Sequence, residues 1–518
     1  MKIKLNKSNT LIKFSVIFFL VIGIFFRFAN IDTKSYWRDE VFTSFMISGY
    51  CGEEIVENIG NGDILTIKDL EKYQTPNSEK NLKDMLIAKA QCDSQHPPLY
   101  YVIARFWAII FGNSPASLRS LSAIIGLLIF PAFYWLCVEL FEVKEVGWFA
   151  ITLISVSLFH VMYAQEARPY SLWTITTLFS CSALLRAIRF KDSLGCWAIY
   201  IVTAVVGIYT FPFTVFTLIG HGLYVLITER FRLSKTLVFF LVSSLLIVLC
   251  FFPWILVIFK YTTPENNAGG SWLKQEVGLS YLAKMWALNL SYIFLSAKPR
   301  IYTFILILEA YSMYYVFRKT PERIWLFIFT LTFSIAIPLL LVDIFLGYKI
   351  TKVARYMIPV YLGIQLAVAY VFTDHILLSS SKQIWKKRIW LIVMIMIVAL
   401  GFWSCTRYIN AEQGWNKGNL ENIPMAQIIN NYTSPLIIGE VNGYSKLTSI
   451  FSVSYMLNPK VKYQLLDEPH QFRVNNNLND FTGIFLLNPS KYLLEIVEEN
   501  GYSIDQTYKK LPLIKIKK

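Results

Sequence analysis

The chain has 518 residues, of which 55% are hydrophobic, 16% aromatic and only 16% charged. This composition excludes a water-soluble globular protein and indicates an integral membrane protein. The net charge is +15, and in a membrane protein an excess of Lys and Arg is typically located in the cytoplasmic loops. No basic stripe with interleaved aromatic residues occurs, so no nucleic acid is expected as a partner.

The N-terminal segment predicts an uncleaved membrane helix. Its sequence, MKIKLNKSNTLIKFSVIFFLVIGIFFRF, joins a basic start to an apolar run of about 18 residues. A cleaved signal peptide has a shorter apolar run and a small-x-small cleavage site, and this sequence has neither. We therefore expect a first helix over 12–30, with the N-terminus in the cytoplasm.

The polar segment that follows, 31–115, is predicted to be a first outer loop with juxtamembrane helices. It contains YWRDEVFTSF, in which Arg38, Asp39 and Glu40 are adjacent at the point where the chain leaves the membrane. The apolar residues after this stretch would hold Asp39 and Glu40 near the membrane surface, where a carboxylate without a partner is costly.

Seven cysteines are too few for a disulfide scaffold. Cys51 and Cys92 differ from most of the others because they lie in the polar segment rather than in apolar runs. If that segment is outside the cytoplasm, the two could form a disulfide. The sequence leaves this open, since it does not give their separation.

Eleven apolar segments of about 17–25 residues predict membrane crossings. They are 12–30, 116–141, 146–163, 170–189, 195–211, 213–228, 236–259, 300–317, 324–342, 357–374 and 389–406. HPPLYYVIARFWAIIFG, residues 96–112, is a twelfth candidate. We predict that it is a helix on the outer surface with Arg105 at the interface, because a crossing there would place most basic loop clusters outside and violate the positive-inside rule.

An odd number of crossings places the C-terminus outside. The last part of the chain has short apolar runs, PLIIGE, VKYQLL and GIFLLN, and the stretch NPSKYLLEIVEENG. That stretch is typical of a helix with Asn488 or Ser490 near its N-cap and Gly501 just past its end. Strands alternating with helices predict a transmembrane domain over 1–407 and a small extracytoplasmic α/β domain over 408–518.

Charged residues collect in four segments on the predicted outer side. Besides the first loop, they are YAQEARPYS, the region 261–300 with ENNAGGSW, and DIFLGYKITKVARY, which includes Asp343 and Lys349. A carboxylate beside an alcohol or amine can take its proton as the nucleophile attacks. Lys and Arg beside a phosphate can stabilise the charge that develops when the phosphate leaves. The combination predicts a transfer reaction with an anionic, phosphate-linked donor from the lipid phase.

Four motifs occur in order along the chain: WRDE, HPPLYY, QEARPYSLW and KVARYMIPVYLG. Together they resemble glycosyltransferase family 39, the bacterial branch related to protein O-mannosyltransferases and aminoarabinose transferases in the GT-C superfamily. The likeness spans roughly 10–375. It implies an all-α polytopic membrane protein of GT-C type, with about 11 transmembrane helices and outer-face juxtamembrane helices, before the small C-terminal α/β extracytoplasmic domain.

The resemblance also implies an activity. It is an inverting glycosyltransferase that moves a sugar from a polyprenyl-phosphate donor to a lipid, glycan or protein acceptor at the outer face of the plasma (inner) membrane. On the matched motifs, Asp39 would be the catalytic base, Glu40 would support the site, and Glu166 would be a second acid that orients the acceptor. The residues implied in binding the donor phosphate are His96, Arg168, Lys352, Arg355 and Tyr356, with Lys349 as the alternative to Lys352.

Some points stay open. A divalent ion, Mg or Mn, could join Asp39 and Glu166, although carboxylates without His or Cys neighbours suit these ions only loosely. His96 could instead cap the following helix, Arg168 could pair with Glu166, and Arg355 could be an interfacial anchor. Glu40 is adjacent to Asp39, and i and i+1 do not share a helix face. No trefoil-shaped MIR insertion occurs, which leaves the acceptor undefined.

Two other functional classes compete with this interpretation. A membrane transporter or lipid flippase also places charges between helices, but such proteins tend to carry midplane charges on interrupted helices and an internal repeat, whereas here the charges gather at one face and no repeat is evident. A non-catalytic relative acting as a scaffold is disfavoured by the presence of Asp39, Glu166 and Arg355.

Overall fold

The structure is a computed structural model that describes residues 2–262, 273–274, 277–295, 299–378, 384–411, 421–472, 480–508 and 511–517. The side chains of 2–12 and 299–300 are outside this description. The stretch ENNAGGSW, residues 265–272, which we predicted to be part of an outer loop, lies outside the described residues.

Helices dominate the described part of the chain. In chain order they are α1 (Lys2–Phe28), α2 (Arg38–Ser48), α3 (Gly52–Ile59), α4 (Ile67–Glu71), α5 (Leu82–Cys92), α6 (Leu99–Phe111), α7 (Pro115–Leu127), α8 (Ile129–Phe141), α9 (Lys144–Ser155), α10 (Leu158–Ala164), α11 (Tyr170–Arg189), α12 (Leu194–Thr210), α13 (Thr214–Thr228), α14 (Lys235–Tyr261), α15 (Leu279–Ser291), α16 (Pro299–Lys319), α17 (Glu322–Leu346), α18 (Ile358–Thr373), α19 (Ile384–Ile409), α20 (Asn422–Asn430), α21 (Tyr444–Ser454) and α22 (Lys491–Glu499). Two 3₁₀ turns, Ile350–Lys352 and Ala354–Met357, precede α18.

Six strands complete the secondary structure. They are β1 (Asn61–Thr66), β2 (Pro435–Glu440), β3 (Lys462–Leu466), β4 (Gly483–Leu487), β5 (Ser503–Thr507) and β6 (Leu513–Lys517). Contacts along the chain divide it into two compact units. We call Met1–Ile31, Gln95–Leu99 and Arg119–Asn410 the helical unit, and Asp32–Ser94, Tyr100–Leu118 and Ala411–Lys518 the mixed unit.

The helical unit has the character of a multi-pass membrane protein. Among the described residues, six helices are long and apolar enough to cross a bilayer, or seven if α9 and α10, bent by 64° at their junction, form one span. The six are Pro115–Phe141, Tyr170–Arg189, Lys235–Tyr261, Glu322–Leu346, Ala354–Leu378 and Ile384–Ile409. Each of the eleven predicted segments coincides with one helix or one consecutive pair, but α12 and α13 are shorter apolar helices. The number of eleven crossings therefore stays a prediction.

Helix α6 covers most of the stretch that we assigned to the outer surface. It has 13 residues, which is about 20 Å at 1.5 Å per residue and too short for a hydrocarbon layer of about 30 Å. Arg105, which we expected at the membrane interface, turns its side chain into the protein. Its guanidinium is buried and donates to the carbonyl oxygens of Ile47, at 2.6 Å, and Lys80. A buried guanidinium needs acceptors, and the last turn of α2 supplies one of them because its carbonyls lack partners within the helix.

The mixed unit is built on a six-stranded sheet in the order β1-β3-β2-β4-β6-β5. Strands β3, β2 and β4 are parallel, and the other pairs are antiparallel. Every residue of β2 and β4 is buried, as expected for central strands covered on both faces. Leu493 and Val497 of α22 pack on one face with Leu436 and Ile438.

The stretch NPSKYLLEIVEENG forms α22, and its boundaries have local causes. Of the two candidate caps, Ser490 is the one used, since its Oγ accepts the backbone N–H of Leu493 at 3.1 Å. Gly501, just past the helix end, has φ of 83°, a left-handed conformation that glycine adopts at no steric cost.

The two units divide the chain differently from the predicted domains 1–407 and 408–518. Most of the first outer loop belongs with the C-terminal part because β1 pairs antiparallel with β3, with Thr66 opposite Lys462. The mixed unit is therefore assembled from separate stretches of the chain.

Cys51 and Cys92 form a disulfide with a Cα–Cα distance of 5.9 Å. It closes a loop between residues 41 positions apart, and such a bridge typically contributes about 2–4 kcal/mol to the free energy of unfolding.

We expect the denatured, unreduced protein to react with alkylating reagent at five cysteines, and the reduced protein at all seven. Mass spectrometry measures both numbers. Seven modified cysteines before reduction would contradict the bridge.

Candidate functional site

In the helical unit, a tight loop between α10 and α11 presents Glu166 and Arg168. Both side chains are almost fully buried, with 1% and 4% of their surface exposed. The backbone N–H of Arg168 donates to the carbonyl of Glu166 at 2.7 Å. The loop is anchored on both sides: Gln165 donates to the Phe26 carbonyl at 2.8 Å, and the Ser122 hydroxyl donates to the Arg168 carbonyl at 3.3 Å. These contacts fix two buried charged side chains at the start of α11.

The ring of Tyr170 brings two guanidinium groups together. The Cζ atom of Arg168 lies 5.9 Å from the ring centroid, and that of Arg355 lies 5.5 Å from it. These distances suit cation–π attraction. Glu166 and Arg355 are also both close enough to Tyr163 to interact with it electrostatically. We refer to Glu166, Arg168, Tyr170 and Arg355 as the Tyr170 cluster.

Phe211, at the end of α12, joins two more predicted site residues to this cluster. Its ring centroid lies 5.8 Å from that of Tyr170, 6.0 Å from that of His96 and 6.0 Å from that of Tyr356. The sequence did not single out Phe211, because an aromatic residue in an apolar membrane segment is more often part of the core. Four of the six predicted site residues in the helical unit, His96, Arg168, Arg355 and Tyr356, are thus gathered around two aromatic rings, and a fifth, Glu166, lies in the same loop as Arg168.

Lys352 is the exception. It is exposed, and its Nζ lies 5.7 Å from the ring centroid of Tyr281. The turn that carries it is held by Asp343, whose carboxylate accepts the backbone N–H of Ile350 at 2.7 Å and that of Thr351 at 2.9 Å. Asp343 therefore has a structural role in shaping the approach to Arg355, whereas the phosphate-binding role of Lys352 stays a prediction.

In the mixed unit, Asp39 and Glu40 occupy the first turn of α2. The Glu40 side chain is 1% exposed, and its Oε2 accepts the backbone N–H of Trp37, the N-cap residue, at 3.2 Å. Glu40 therefore satisfies one of the backbone donors that a helix start leaves without an intrahelical acceptor. Asp39 is half-buried. The two carboxylates thus have different surroundings despite being adjacent.

This arrangement predicts a test of Glu40. Glu40→Ala is expected to lower the free energy of unfolding by about 0.5–2 kcal/mol, because the half-buried N–H at the helix start loses its acceptor. Glu40→Gln keeps an acceptor oxygen and is expected to restore most of the loss. Thermal unfolding of the purified protein in detergent measures the difference. If Glu40→Gln folds normally but abolishes transfer, the carboxylate has a chemical role as well.

Helix α2 is seated on α21 through aromatic pairs. Phe42 and Tyr444 have ring centroids 5.5 Å apart, and Phe45 and Phe451 have centroids 4.8 Å apart. Such edge-on pairs contribute about 0.5–1.5 kcal/mol each beyond their burial. Next to them, the Arg38 guanidinium donates to the Ser445 hydroxyl at 2.7 Å. Arg38 therefore links α2 to α21.

A buried ion pair supports α2 from the other side. Lys89, in the last turn of α5, forms an ion pair with Asp93, the C-cap residue of that helix, and the two side chains are 0% and 4% exposed. The Lys89 ammonium lies 3.7 Å from the ring centroid of Tyr101 and 5.7 Å from that of Phe42. This pair was not predicted from the sequence. The i, i+4 spacing of Lys89 and Asp93, at the end of α5, is the pattern that could have indicated it.

A metal site is not established by these contacts. The two carboxylates proposed as ligands, Asp39 and Glu166, belong to different units. Among the described residues, the only His, Cys, Asp and Glu side chains grouped as three or more ligand atoms within 4.8 Å of one another are Cys51, Glu53 and Cys92. Two of these are sulfurs of the disulfide, and a disulfide sulfur is not the thiolate that binds metals. A divalent ion at Asp39 and Glu166 stays a prediction.

Comparisons with known proteins agree with this fold. Residues 95–257 match the family model described as dolichyl-phosphate-mannose-protein mannosyltransferase. A search of curated proteins gives no match. The structure is similar to that of ArnT from Cupriavidus metallidurans in the apo state, with 11% identity, 97% of each chain covered and a TM-score of 0.56. The same protein bound to undecaprenyl phosphate gives 12% identity, 97% coverage of each chain and a TM-score of 0.54.

A third similar structure is the oligosaccharyltransferase AglB from Archaeoglobus fulgidus, in complex with an inhibitory peptide and a dolichol-phosphate. The identity is 10%, the match covers 96% of this chain and 69% of that one, and the TM-score is 0.51. The match over 95–257 confirms the predicted resemblance to glycosyltransferase family 39, and the similar structures show that the chain has the fold of ArnT and AglB.

Proposed function

We propose that the protein is a glycosyltransferase that moves a sugar from a polyprenyl-phosphate donor to a hydroxyl or amine of its acceptor, with inversion at the anomeric carbon, at the outer face of the membrane. The observation that carries the proposal is the Tyr170 cluster. It holds Arg168 and Arg355 beside one aromatic ring, together with the buried acid Glu166. Two guanidiniums at such a place suit a phosphate that must be held and then released.

In the proposed reaction, Asp39 acts as the general base. Its carboxylate takes the proton from the acceptor oxygen or nitrogen as that atom forms a bond to the anomeric carbon. The bond between the anomeric carbon and the phosphate oxygen breaks at the same time, and the bonding electrons leave with the polyprenyl phosphate. A single displacement from the far side inverts the anomeric centre.

Arg355 and Arg168 have the opposite task in this proposal. The leaving phosphate gains negative charge as the bond breaks, and fixed guanidinium donors in a site with little water stabilise that charge. Tyr356 and His96 lie around Phe211 next to the cluster, where they would add hydrogen-bond donors for the phosphate. Glu166 would accept a hydrogen bond from the acceptor and so orient it.

The proposal is tested by the donor. We expect purified protein in lipid nanodiscs, supplied with an extract of envelope lipids, glycans and proteins as acceptors and with a panel of radiolabelled polyprenyl-phosphate sugars, to release polyprenyl phosphate and label an acceptor with one of them. Nucleotide sugars serve as the control and are expected to be inert. Transfer from a nucleotide sugar, or none from any lipid-linked donor while protein known to be folded is present, would contradict the proposal.

The orientation in the membrane is part of the same proposal: N-terminus in the cytoplasm, residues 408–518 outside, in the plasma (inner) membrane. A reporter that is active only outside the cytoplasm is expected to be active when fused after residue 518 and inactive when fused before residue 1. The opposite pattern would place the candidate site on the cytoplasmic side.

A further inference from the structure

A second group of charged residues lies at the other end of the helices that carry the candidate site. Helix α11 begins just after Glu166 and Arg168 and ends with Arg186 and Arg189 in its last turn. Its 20 residues separate the two ends by about 30 Å. Helix α17 carries Arg323, a member of the second group, in its first turn and Asp343 in its last turn.

These arginines are tied to two glutamates at the end of α8. Glu139, which is 2% exposed, contacts Arg186 at 2.9 Å and Arg189 at 3.1 Å. Glu142 contacts Arg189 at 3.1 Å and Arg323 at 2.7 Å. Three guanidiniums and two carboxylates leave this network with one excess positive charge. By itself, such a network of ion pairs could serve only to hold the ends of α8, α11 and α17 together.

A cavity of about 490 Å³ adjoins the network. A purely structural role of the ion pairs does not require such a cavity. We call it the arginine pocket. Its lining consists of Val138, Glu142, Leu185, Ile188, Arg189 and Arg323. Three of these residues are aliphatic, two carry guanidiniums and one carries a carboxylate, so the pocket is amphipathic. Each guanidinium has five N–H donors, and the ion pairs use only the Nη1 and Nη2 groups of Arg189 and Arg323.

The surroundings of the pocket resemble those of a membrane interface. Phe190 is 48% exposed, and the Arg186 guanidinium lies 5.3 Å from its ring centroid. The indole N–H of Trp135 donates to Glu139 at 3.1 Å. Aromatic residues and arginines concentrate at the level of lipid headgroups, where an apolar body and a polar end are both accommodated.

We propose that the arginine pocket binds the headgroup of an anionic phospholipid. Its phosphate lies against Arg189 and Arg323, and the glycerol and first methylenes lie along Val138, Leu185 and Ile188. The volume is that of a small-ligand site and accommodates a headgroup, so the acyl chains continue outside along the apolar helix surface. Basic pockets between membrane helices suit such lipids. The site is independent of the proposed sugar transfer and lies at the opposite helix ends from the Tyr170 cluster.

The test is lipid binding measured by thermal unfolding of delipidated protein in detergent. We expect phosphatidylglycerol to raise the unfolding midpoint in a saturable way, and phosphatidylcholine, which has no net charge, to leave it unchanged. Inorganic phosphate and undecaprenyl phosphate are further arms. An equal shift with phosphatidylcholine, or the full shift with inorganic phosphate, would overturn the assignment to an anionic phospholipid. Undecaprenyl phosphate, which the proposed function places at the Tyr170 cluster, would overturn it only if its shift is lost when the arginine pocket is filled by Ile188→Trp.

Variants separate a binding role from a structural one. Ile188→Trp fills the pocket without touching an ion pair and is expected to weaken phosphatidylglycerol binding by about tenfold or more. Glu142→Gln removes the anion that competes with the lipid phosphate and is expected to tighten binding severalfold, even if the variant unfolds at a lower temperature. Lys191→Ala, an exposed basic residue just beyond α11, is the matched control and should bind as the unmodified protein does.

These variants also give results that would overturn the proposal. Unchanged binding in Ile188→Trp would show that the lipid sits elsewhere. Weaker binding in Glu142→Gln would indicate that the network only locks the helices. None of these readouts uses sugar transfer, so a failure here leaves the proposed function untouched, and a failure of the proposed function leaves the pocket untouched.

Discussion

Replacing Asp39 by asparagine is expected to lower the rate of sugar transfer by about 10²–10⁴-fold, the usual contribution of a general base. Asparagine has nearly the same size as aspartate but cannot take the proton from the acceptor. The bond that starts α2 is made by Glu40 to the backbone of Trp37, so the substitution leaves the helix start in place. Turnover of a radiolabelled lipid-linked donor by purified protein measures the loss.

The matched control is Asp32→Asn. Asp32 is an exposed acid in the same unit, seven positions before Asp39, and its replacement is expected to leave turnover unchanged. The two variants should have the same yield and unfolding midpoint. Near-normal turnover in Asp39→Asn would remove Asp39 as the base, whereas equal losses in both variants would point to a general effect of charge on this surface.

Arg355→Ala is expected to weaken the apparent affinity for the donor by about 10–100-fold, because a hydrogen bond to a charged group contributes about 1.5–3 kcal/mol. The acceptor affinity should change little. KM values for donor and acceptor, each measured with the other saturating, separate these effects. Arg355→Lys keeps the charge but loses the planar fork, so we expect an intermediate affinity.

Lys352, in the 3₁₀ turn just before that of Arg355, provides the comparison. Its side chain is exposed and lies beside Tyr281 rather than in the Tyr170 cluster, so Lys352→Ala is expected to change donor affinity less than Arg355→Ala. An unchanged donor affinity in Arg355→Ala would contradict its assignment to the phosphate. A larger loss in Lys352→Ala would move that assignment to Lys352.

The positions of the membrane helices could be predicted because long apolar runs are a strong signal. Three of the five strands of the C-terminal part, β2, β3 and β4, could also be predicted, since PLIIGE, VKYQLL and GIFLLN are short apolar runs bounded by polar residues, but β5 and β6 were not predicted. Strand β1 could not be. Its sequence, NGDILT, begins with three residues that strands disfavour. Its pairing with β3 depends on tertiary contacts that no local pattern records.

Some residues of the candidate site could likewise be predicted from the sequence, and others could not. Charged residues in an otherwise apolar chain are conspicuous, which is why Glu166, Arg168 and Arg355 could be selected. The rings that organise them, Tyr170 and Phe211, are hidden among many aromatic residues of similar context. The cap formed by Glu40 was also hidden, because the N-cap position is occupied by tryptophan rather than by Ser, Thr, Asp or Asn.

The pairing of β1 with β3 has a consequence for biosynthesis. Asn61 is opposite Leu466, so 466 − 61 = 405 residues separate the partners. At about 5–20 residues per second, the ribosome needs roughly 20–80 s to make that stretch. During this interval the strand's backbone groups have no sheet partner and are exposed to incorrect pairing. A ribosome that stops before residue 462 therefore releases a chain whose first loop cannot finish folding, which makes it a natural target for quality control.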